Sequence, residues 1–266
     1  MIALPERKDG DPTLPPLLTG FGIGAPDQPF DHAVAGARVG VHEAGHVVWA
    51  RNTSMLDWAI VLAPEVPLRK AVQMVPLAMV AAGDCVGVLT PPQVALTFRW
   101  PDGIIVNGGI AGRIEATAST DDPDAVPDWL VVRVVMRIRH EQHEEPGNAP
   151  DQTSLEEEGC TDLMRNHLIE SYSRHFLTWL NTWNDDGFAP VHGAWLQRAE
   201  SLEEHIAFTH GDAVMSGVFM GLDEDGNILL KSNDSAGDGA VELVSLADVV
   251  LSGRSDAHTV SKDDGR

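Results

Sequence analysis

The run Arg99-Trp100-Pro101-Asp102-Gly103-Ile104-Ile105-Val106-Asn107-Gly108-Gly109-Ile110-Ala111-Gly112 sets a short apolar segment between two glycine-bearing turns. Taken from the residues alone it is a loop, a strand and a second loop. Gly108, Gly109 and Gly112 carry no side chains, so a bound molecule is expected to approach the main chain closely here. The plainer reading of the same glycines is a tight turn between two strands.

Outward from this run, strand and helix patterns alternate. Val94–Arg99, the strand at Ile104, Ala111–Thr117 and Trp129–Ile138 read as strands of one sheet. The stretch Val131–Met136 is apolar on both faces except at Arg133, as a central strand covered by helices requires. Lys70–Ala82 has the length and alanine content of a buried helix, with Pro76 kinking it or marking its first turn. Met164, Leu168, Tyr172, Phe176, Leu180 and Trp183 recur at helical spacing, predicting a long amphipathic helix from about Asp162 until Gly187, its stripe facing the core. Ser154 and Glu157 spell a capping box for a short helix that Gly159 stops, and another short helix is expected around Ala194–Ala199. Val218–Leu222 and Ile228–Lys231 flank the hairpin turn Asp223–Asn227, whose acids lack the ligand pattern of a calcium loop.

These patterns divide the chain into an irregular, Pro/Gly-rich leader (1–30), a main domain (31–203), a small barrel of short strands (204–252) and a polar tail (253–266), with 139–152 an exposed loop. With 266 residues, 43% of them hydrophobic, there is material for a substantial core. The formal charge of −22, from 40 acidic against 18 basic residues, argues against a nucleic-acid or anionic-membrane partner. Cys85 and Cys160 are too few for a disulfide framework and lack zinc-knuckle spacing, so a reducing cytoplasm is expected. No run approaches about 18 uninterrupted apolar residues, and the amino terminus lacks an export pattern, so no membrane span is expected.

The opening run resembles the signature of the biotin protein ligases and the related lipoate ligases: K-W-P-N-D, an apolar strand, a G-K-K-like turn, then L-A-G-I-L. Trp100-Pro101, Ile104–Val106, Asn107-Gly108 and Ala111-Gly112 fall in register with it. Asp102-Gly103 stands where the family has Asn-Asp, and Gly109 where it has a lysine that contacts both biotin and the adenylate phosphate. His46–Ala50 is similar to the strand before the family's ligand loop, and Trp58–Pro64 to the strand after it. Between them the family's arginine- and glycine-rich loop is reduced to Arg51–Asp57, with one arginine left. Trp129–Ile138 resembles the family's late core strand, and Phe176–Leu246 its last helices and C-terminal barrel.

The resemblance implies an α+β fold, a mixed sheet with flanking helices forming a class II synthetase-like catalytic core, followed by an SH3-like barrel. It implies ATP, Mg²⁺ and biotin or lipoate as ligands, and a biotin carboxyl carrier-type protein as acceptor. Such an enzyme joins the vitamin carboxylate to ATP and lets a carrier lysine attack the mixed anhydride, building negative charge at the α-phosphate. Arg51, Arg99 and Arg113 are the nearby cations, Arg99 replacing the lysine before Trp-Pro. Asp102 is the candidate for Mg²⁺, Trp49 and Trp100 for packing against a ring, and Gly108, Gly109, Ala111 and Gly112 for the wall of the site. The bland alternatives are solvated arginines and core tryptophans. Replacing the lysine by Gly109 removes a charge-assisted contact worth about 1.5 to 3 kcal/mol, so an impaired ligase or a non-catalytic small-acid binding module of the same fold is the alternative.

A competing motif is His42-Glu43-Ala44-Gly45-His46, the H-E-x-x-H pattern of zinc peptidases. On a helix the two imidazoles share one face and bind zinc, while Glu43 deprotonates the metal-bound water. This variant resembles the membrane-anchored ATP-dependent zinc proteases and makes Asp122 the third ligand. Gly45 and the β-favouring run Val47-Val48-Trp49 count against the helix that this zinc-hydrolase reading needs.

Overall fold

The structure, a computed structural model, describes residues 10–140, 151–210, 213–232 and 239–251. Its first half contains β1 (Thr19–Ile23), α1 (Pro29–Arg38), β2 (His46–Ala50), β3 (Met55–Leu62), α2 (Leu68–Ala71) and α3 (Met74–Leu89). Then come β4 (Leu96–Arg99), β5 (Gly103–Val106), β6 (Gly109–Ala118), β7 (Leu130–Arg137), α4 (Arg165–Asp186) and α5 (Ala189–Leu196). The chain closes with β8 (His205–His210), β9 (Ala213–Leu222), β10 (Ile228–Lys231), β11 (Val241–Val244) and α6 (Leu246–Leu251).

Seven strands form a mixed sheet in the order β1-β2-β3-β7-β6-β5-β4, so β7, apolar on both faces, is the middle strand. Only β1 and β2 run parallel; the other pairs are antiparallel. Period-two alternation sorts the side chains into two layers. Leu56, Trp58 and Ile60 of β3 join the main core under α3 and α4, whereas Ala59 and Val61 pack with Ala33 and Ala37 of α1 on the opposite face. This mixed α+β architecture is the expected class.

The expected 70–82 helix is interrupted at Val72-Gln73, giving α2 and α3. Pro76 is the third residue of α3, in the first turn, where its missing N–H breaks no intrahelical bond. By length and apolarity Leu68–Leu89 could cross a membrane, with a mean hydropathy of 1.7, but it is largely buried inside the protein. Its α3 portion packs against α4 and α5, so apolarity on nearly every side is that of a core helix. Helix α4 buries Leu168, Tyr172 and Phe176 as the stripe requires, and Gly187 ends it at φ 74°. Helix α5 begins earlier than its predicted span.

Two expectations meet a different outcome. The leader is not irregular throughout, because residues 19–23 form β1, an edge strand tied to β2 from Thr19↔His46 to Ile23↔Ala50. Ser154 and Glu157 make both capping-box contacts, yet the segment is a turn rather than a helix. The C-terminal strands form a four-stranded antiparallel sheet, β11-β10-β9-β8, within the span expected for the small barrel. Residues 141–150 of the expected loop and all of the 253–266 tail lie outside the described residues.

Candidate functional site

The glycines of the opening run are accounted for first by the protein's own packing. Asn107 and Gly108 take φ values of 48° and 90° between β5 and β6, the positive pair that a two-residue hairpin turn demands. A Cβ on Gly109 would lie 2.8 Å from the Cβ and 2.9 Å from the Cγ2 of Thr153. One on Gly112 would lie 2.2 Å from the carbonyl oxygen of Val135, so that glycine allows β6 and β7 to approach. Ala111 is buried. Residues 151–160 cover this end of the sheet: Ile110 and Thr153 exchange backbone bonds with Asp151 and Ile110, and the Leu155 amide donates to Arg137. The bare main-chain wall expected at Gly109 and Gly112 is therefore occupied by Thr153 and by β7.

Arg99, Trp100 and Arg113 are engaged elsewhere. Arg99 makes a two-point ion pair with Glu200, at 2.6 and 3.0 Å. Trp100 donates its indole N–H to the carbonyl of Gly226 at 3.2 Å and packs on Phe208, fastening the C-terminal sheet to the core. Arg113 pairs with Glu115. Asp102 lies in the β4–β5 turn, where its carbonyl accepts the Ile114 amide. Arg99, on edge strand β4, is separated from Arg51 by β3, β7, β6 and β5, on the order of 20 Å at normal strand spacing. The structure does not bring those two cations together.

It does bring Trp49 and Arg51 together, at the C-terminal ends of β1 and β2. The Trp49 indole lies across Gly20 and Gly22 of β1, where a Cβ on Gly22 would sit 2.5 Å from the ring. Two guanidiniums address that ring, Arg51 and Arg165, each with its central carbon 4.9 Å from the ring centroid. Arg165 is 2% exposed and donates to the carbonyls of Arg51 at 2.6 Å and Gly10 at 3.2 Å. Arg51 forms a forked pair with Asp11, at 2.5 and 3.3 Å, which holds the Asp11 carboxyl below its usual range and raises the Arg51 guanidinium. Sequence reasoning missed Arg165 and Asp11. Arg165 did carry a signal, because a cation at the first position of a helix opposes the macrodipole and calls for a compensating role.

The zinc reading is corrected. His46 begins β2 and residues 41–45 form turns, so the helix that would align two ligands is absent. His42 faces its neighbours with different nitrogens: Nε2 lies 3.1 Å from Nδ1 of His32, and Nδ1 lies 3.4 Å from Nδ1 of His46. This is a chain of imidazoles rather than a chelate. Asp122 caps its own loop, accepting the Asp124 amide, and among the described residues no three His, Cys, Asp or Glu side chains group to hold a metal. Burial, with His32 and His46 beside it, lowers the proton affinity of His42.

A cavity of about 1260 Å³ opens at the other end of the sheet, where Leu18 precedes β1 and Leu62 ends β3. Its apolar walls include Met74, Trp183 and Phe188. Lys70 is the one cation among its lining residues, at 4.0 Å from Asp225, and Glu65, Asp186, Asp223 and Glu224 line the same space. That excess of negative charge disfavours an anionic ligand there, whereas the Trp49 site presents two guanidiniums.

Comparison with known proteins matches the chain to one family. The model of the biotin/lipoate A/B protein ligase family matches residues 14–197. A biotin--[acetyl-CoA-carboxylase] ligase of Paracoccus denitrificans is 28% identical over 185 residues, covering 69% of this chain and 76% of that protein. A biotin protein ligase-like protein of unknown function from Silicibacter sp. TM1040 superposes with a TM-score of 0.80 at 40% identity, over 91% of this chain and 100% of that one. The biotin protein ligase of Aquifex aeolicus, in complex with biotin and ATP, gives a TM-score of 0.64 at 15% identity over 86% of this chain and 95% of its own, a likeness of fold.

Proposed function

The chain belongs to the biotin/lipoate A/B protein ligase family, and from that premise we propose that it activates biotin or lipoate with ATP and passes the acyl group to a lysine of a carrier-type acceptor protein in the cytoplasm. The carboxylate oxygen attacks the α-phosphorus, the bond to the bridging oxygen breaks and pyrophosphate leaves. The acceptor amine then attacks the acyl carbon, loses a proton and expels AMP. Both steps concentrate negative charge at one phosphate, so permanent cations fixed beside an apolar surface are what the site must supply.

The observation that carries this reading is the Trp49 indole with the guanidiniums of Arg51 and Arg165 each 4.9 Å from its ring centroid. The buried ring is an apolar floor beneath the site, and the arginines offer planar donors to the phosphate. Arg51 is thereby kept as a ligand residue and Arg165 is added. Asp102, in the β4–β5 turn, is separated from β2 by β3, β7 and β6, and is released from the Mg²⁺ role at this site. Gly108, in the β5–β6 turn, and Ala111, buried in β6, lie across β3 and β7 from Trp49 and are not assigned to its site. Arg99, Trp100 and Arg113 are assigned to the ion pairs and packing described above. We read the C-terminal sheet as the counterpart of the family's SH3-like module.

The test is ATP–pyrophosphate exchange, run with biotin and with lipoate. Exchange that depends on one of the two acids is expected. Calorimetric binding of both acid and ATP without exchange would make the protein a binding module rather than a ligase.

A further inference from the structure

The stretch Gly10–Leu18 carries Pro12, Pro15 and Pro16 and contributes no strand or helix, yet four of its first five residues make contacts that hold it in place. Arg165 donates to the carbonyl of Gly10, and so does the Asn166 side chain. Asp11 takes the fork of Arg51. The Thr13 amide donates to the carboxylate of Glu170 at 2.7 Å, one turn further along α4. Leu14 lies over Gly20 so closely that a Cβ there would be 2.6 Å from its Cδ1. The contacts of Arg51, Arg165 and Leu14 adjoin the Trp49 ring, which is 2% exposed.

The contacts differ in how easily they part. Asp11 and Arg51 are exposed, at 51% and 63% for the arginine and aspartate side chains, and such pairs are weak and screened by salt. Arg165 and Trp49 are buried and fixed. The one charged contact of the segment is thus its weak one, and what it presents to the rigid, cationic and aromatic floor is a carboxylate.

We propose that residues 10–14 are a strap in which Asp11 stands in for the ligand's own oxyanion, so that a carboxylate or phosphate binding at Trp49, Arg51 and Arg165 displaces it. This rests on the ligase reading for the location of the site, but it makes a separate claim, that the chain carries a built-in competitor. The shared chemistry is an oxyanion attached to a group flat enough to lie on the indole. AMP and biotin present it as a phosphate and a carboxylate respectively.

The experiment uses the full chain, wild type and Asp11→Asn, titrated calorimetrically with AMP and with biotin, alongside hydrogen–deuterium exchange of the 10–18 region. Asp11→Asn is expected to tighten binding of the displacing anion about two- to fivefold, as loss of an exposed pair allows. Exchange at residues 10–14 should rise when that ligand saturates the wild type. The arm that responds, AMP or biotin, identifies which anion takes the place of Asp11. Unchanged affinities and unchanged exchange, or binding of neither probe, would overturn the strap. Acid-dependent pyrophosphate exchange with an unmoved strap would reject this inference and leave the ligase reading standing; AMP displacing the strap without any such exchange would do the reverse.

Discussion

Restoring the family's lysine by Gly109→Lys tests why it is missing. The backbone at Gly109 is not in the left-handed region, so conformation does not bar a side chain; the obstacle is Thr153, whose Cβ and Cγ2 would lie 2.8 and 2.9 Å from the new Cβ. Thr153 is in turn held by its hydroxyl donating to Glu158 at 2.6 Å and by backbone bonding to Ile110. Forcing the contact is an overpacking event costing about 1 to 3 kcal/mol. Thr153→Ala removes Cγ2 but keeps the 2.8 Å contact, so it should rescue little. Thr153→Gly removes both atoms, at about 1 kcal/mol for the lost hydrogen bond and about 0.5 to 1 kcal/mol for glycine's chain entropy. Urea unfolding of the single and double variants should therefore show Gly109→Lys tolerated with Thr153→Gly and penalised with threonine or alanine. In the tolerated pair the new ammonium, if it reaches the ligand phosphate, adds about 1.5 to 3 kcal/mol, or about tenfold to a hundredfold in pyrophosphate exchange. A Gly109→Lys single variant as stable as wild type would refute the steric explanation.

Other outcomes follow from buried groups. Arg133 bridges Asp57 at 2.6 and 2.7 Å and Glu115 at 2.6 Å in the middle of the sheet, so Arg133→Met should lower stability by about 3 to 5 kcal/mol in urea melts, and a loss under 1 kcal/mol would contradict it. Burial pushes the Cys85 thiol up to about 12, so Ellman's reagent should leave it unmodified at pH 8 until the protein is denatured. His42 binds a proton less readily folded than unfolded, so its contribution to stability is present above about pH 6.5 and is lost as pH falls toward the folded value. As pH falls below about 6.5 wild-type stability should drop, and His42→Gln should flatten that dependence; an unchanged slope would count against it.

Period and punctuation made the framework legible. The two-faced apolar run at Val131–Met136 specified the middle strand, and the Leu168-Tyr172-Phe176 spacing specified α4, because each pattern reports a layer that must be buried. What local pattern cannot encode is which distant segment lies over a given residue. Gly109 reads as open surface until Thr153 is placed on it, and Trp100 reads as a pocket wall until Gly226 accepts its N–H. The same limit hid the site. Arg51 was visible as the remnant of a loop, but Arg165 lies 114 residues further on and Asp11 lies 40 residues before it. The H-E-x-x-H spacing misleads for a related reason, since it has meaning only on a helix and Val47-Val48-Trp49 draws its second histidine into a strand.

A crystal structure of the full chain with a non-hydrolysable biotinyl-adenylate analogue would locate the ligand outright. The adenylate should lie against Trp49, its phosphate within hydrogen-bonding distance of Arg51 and Arg165, with residues 10–14 moved aside. Density for the analogue in the acidic cavity beside Trp183 and Phe188, with Asp11 still on Arg51, would contradict the assignment of the site.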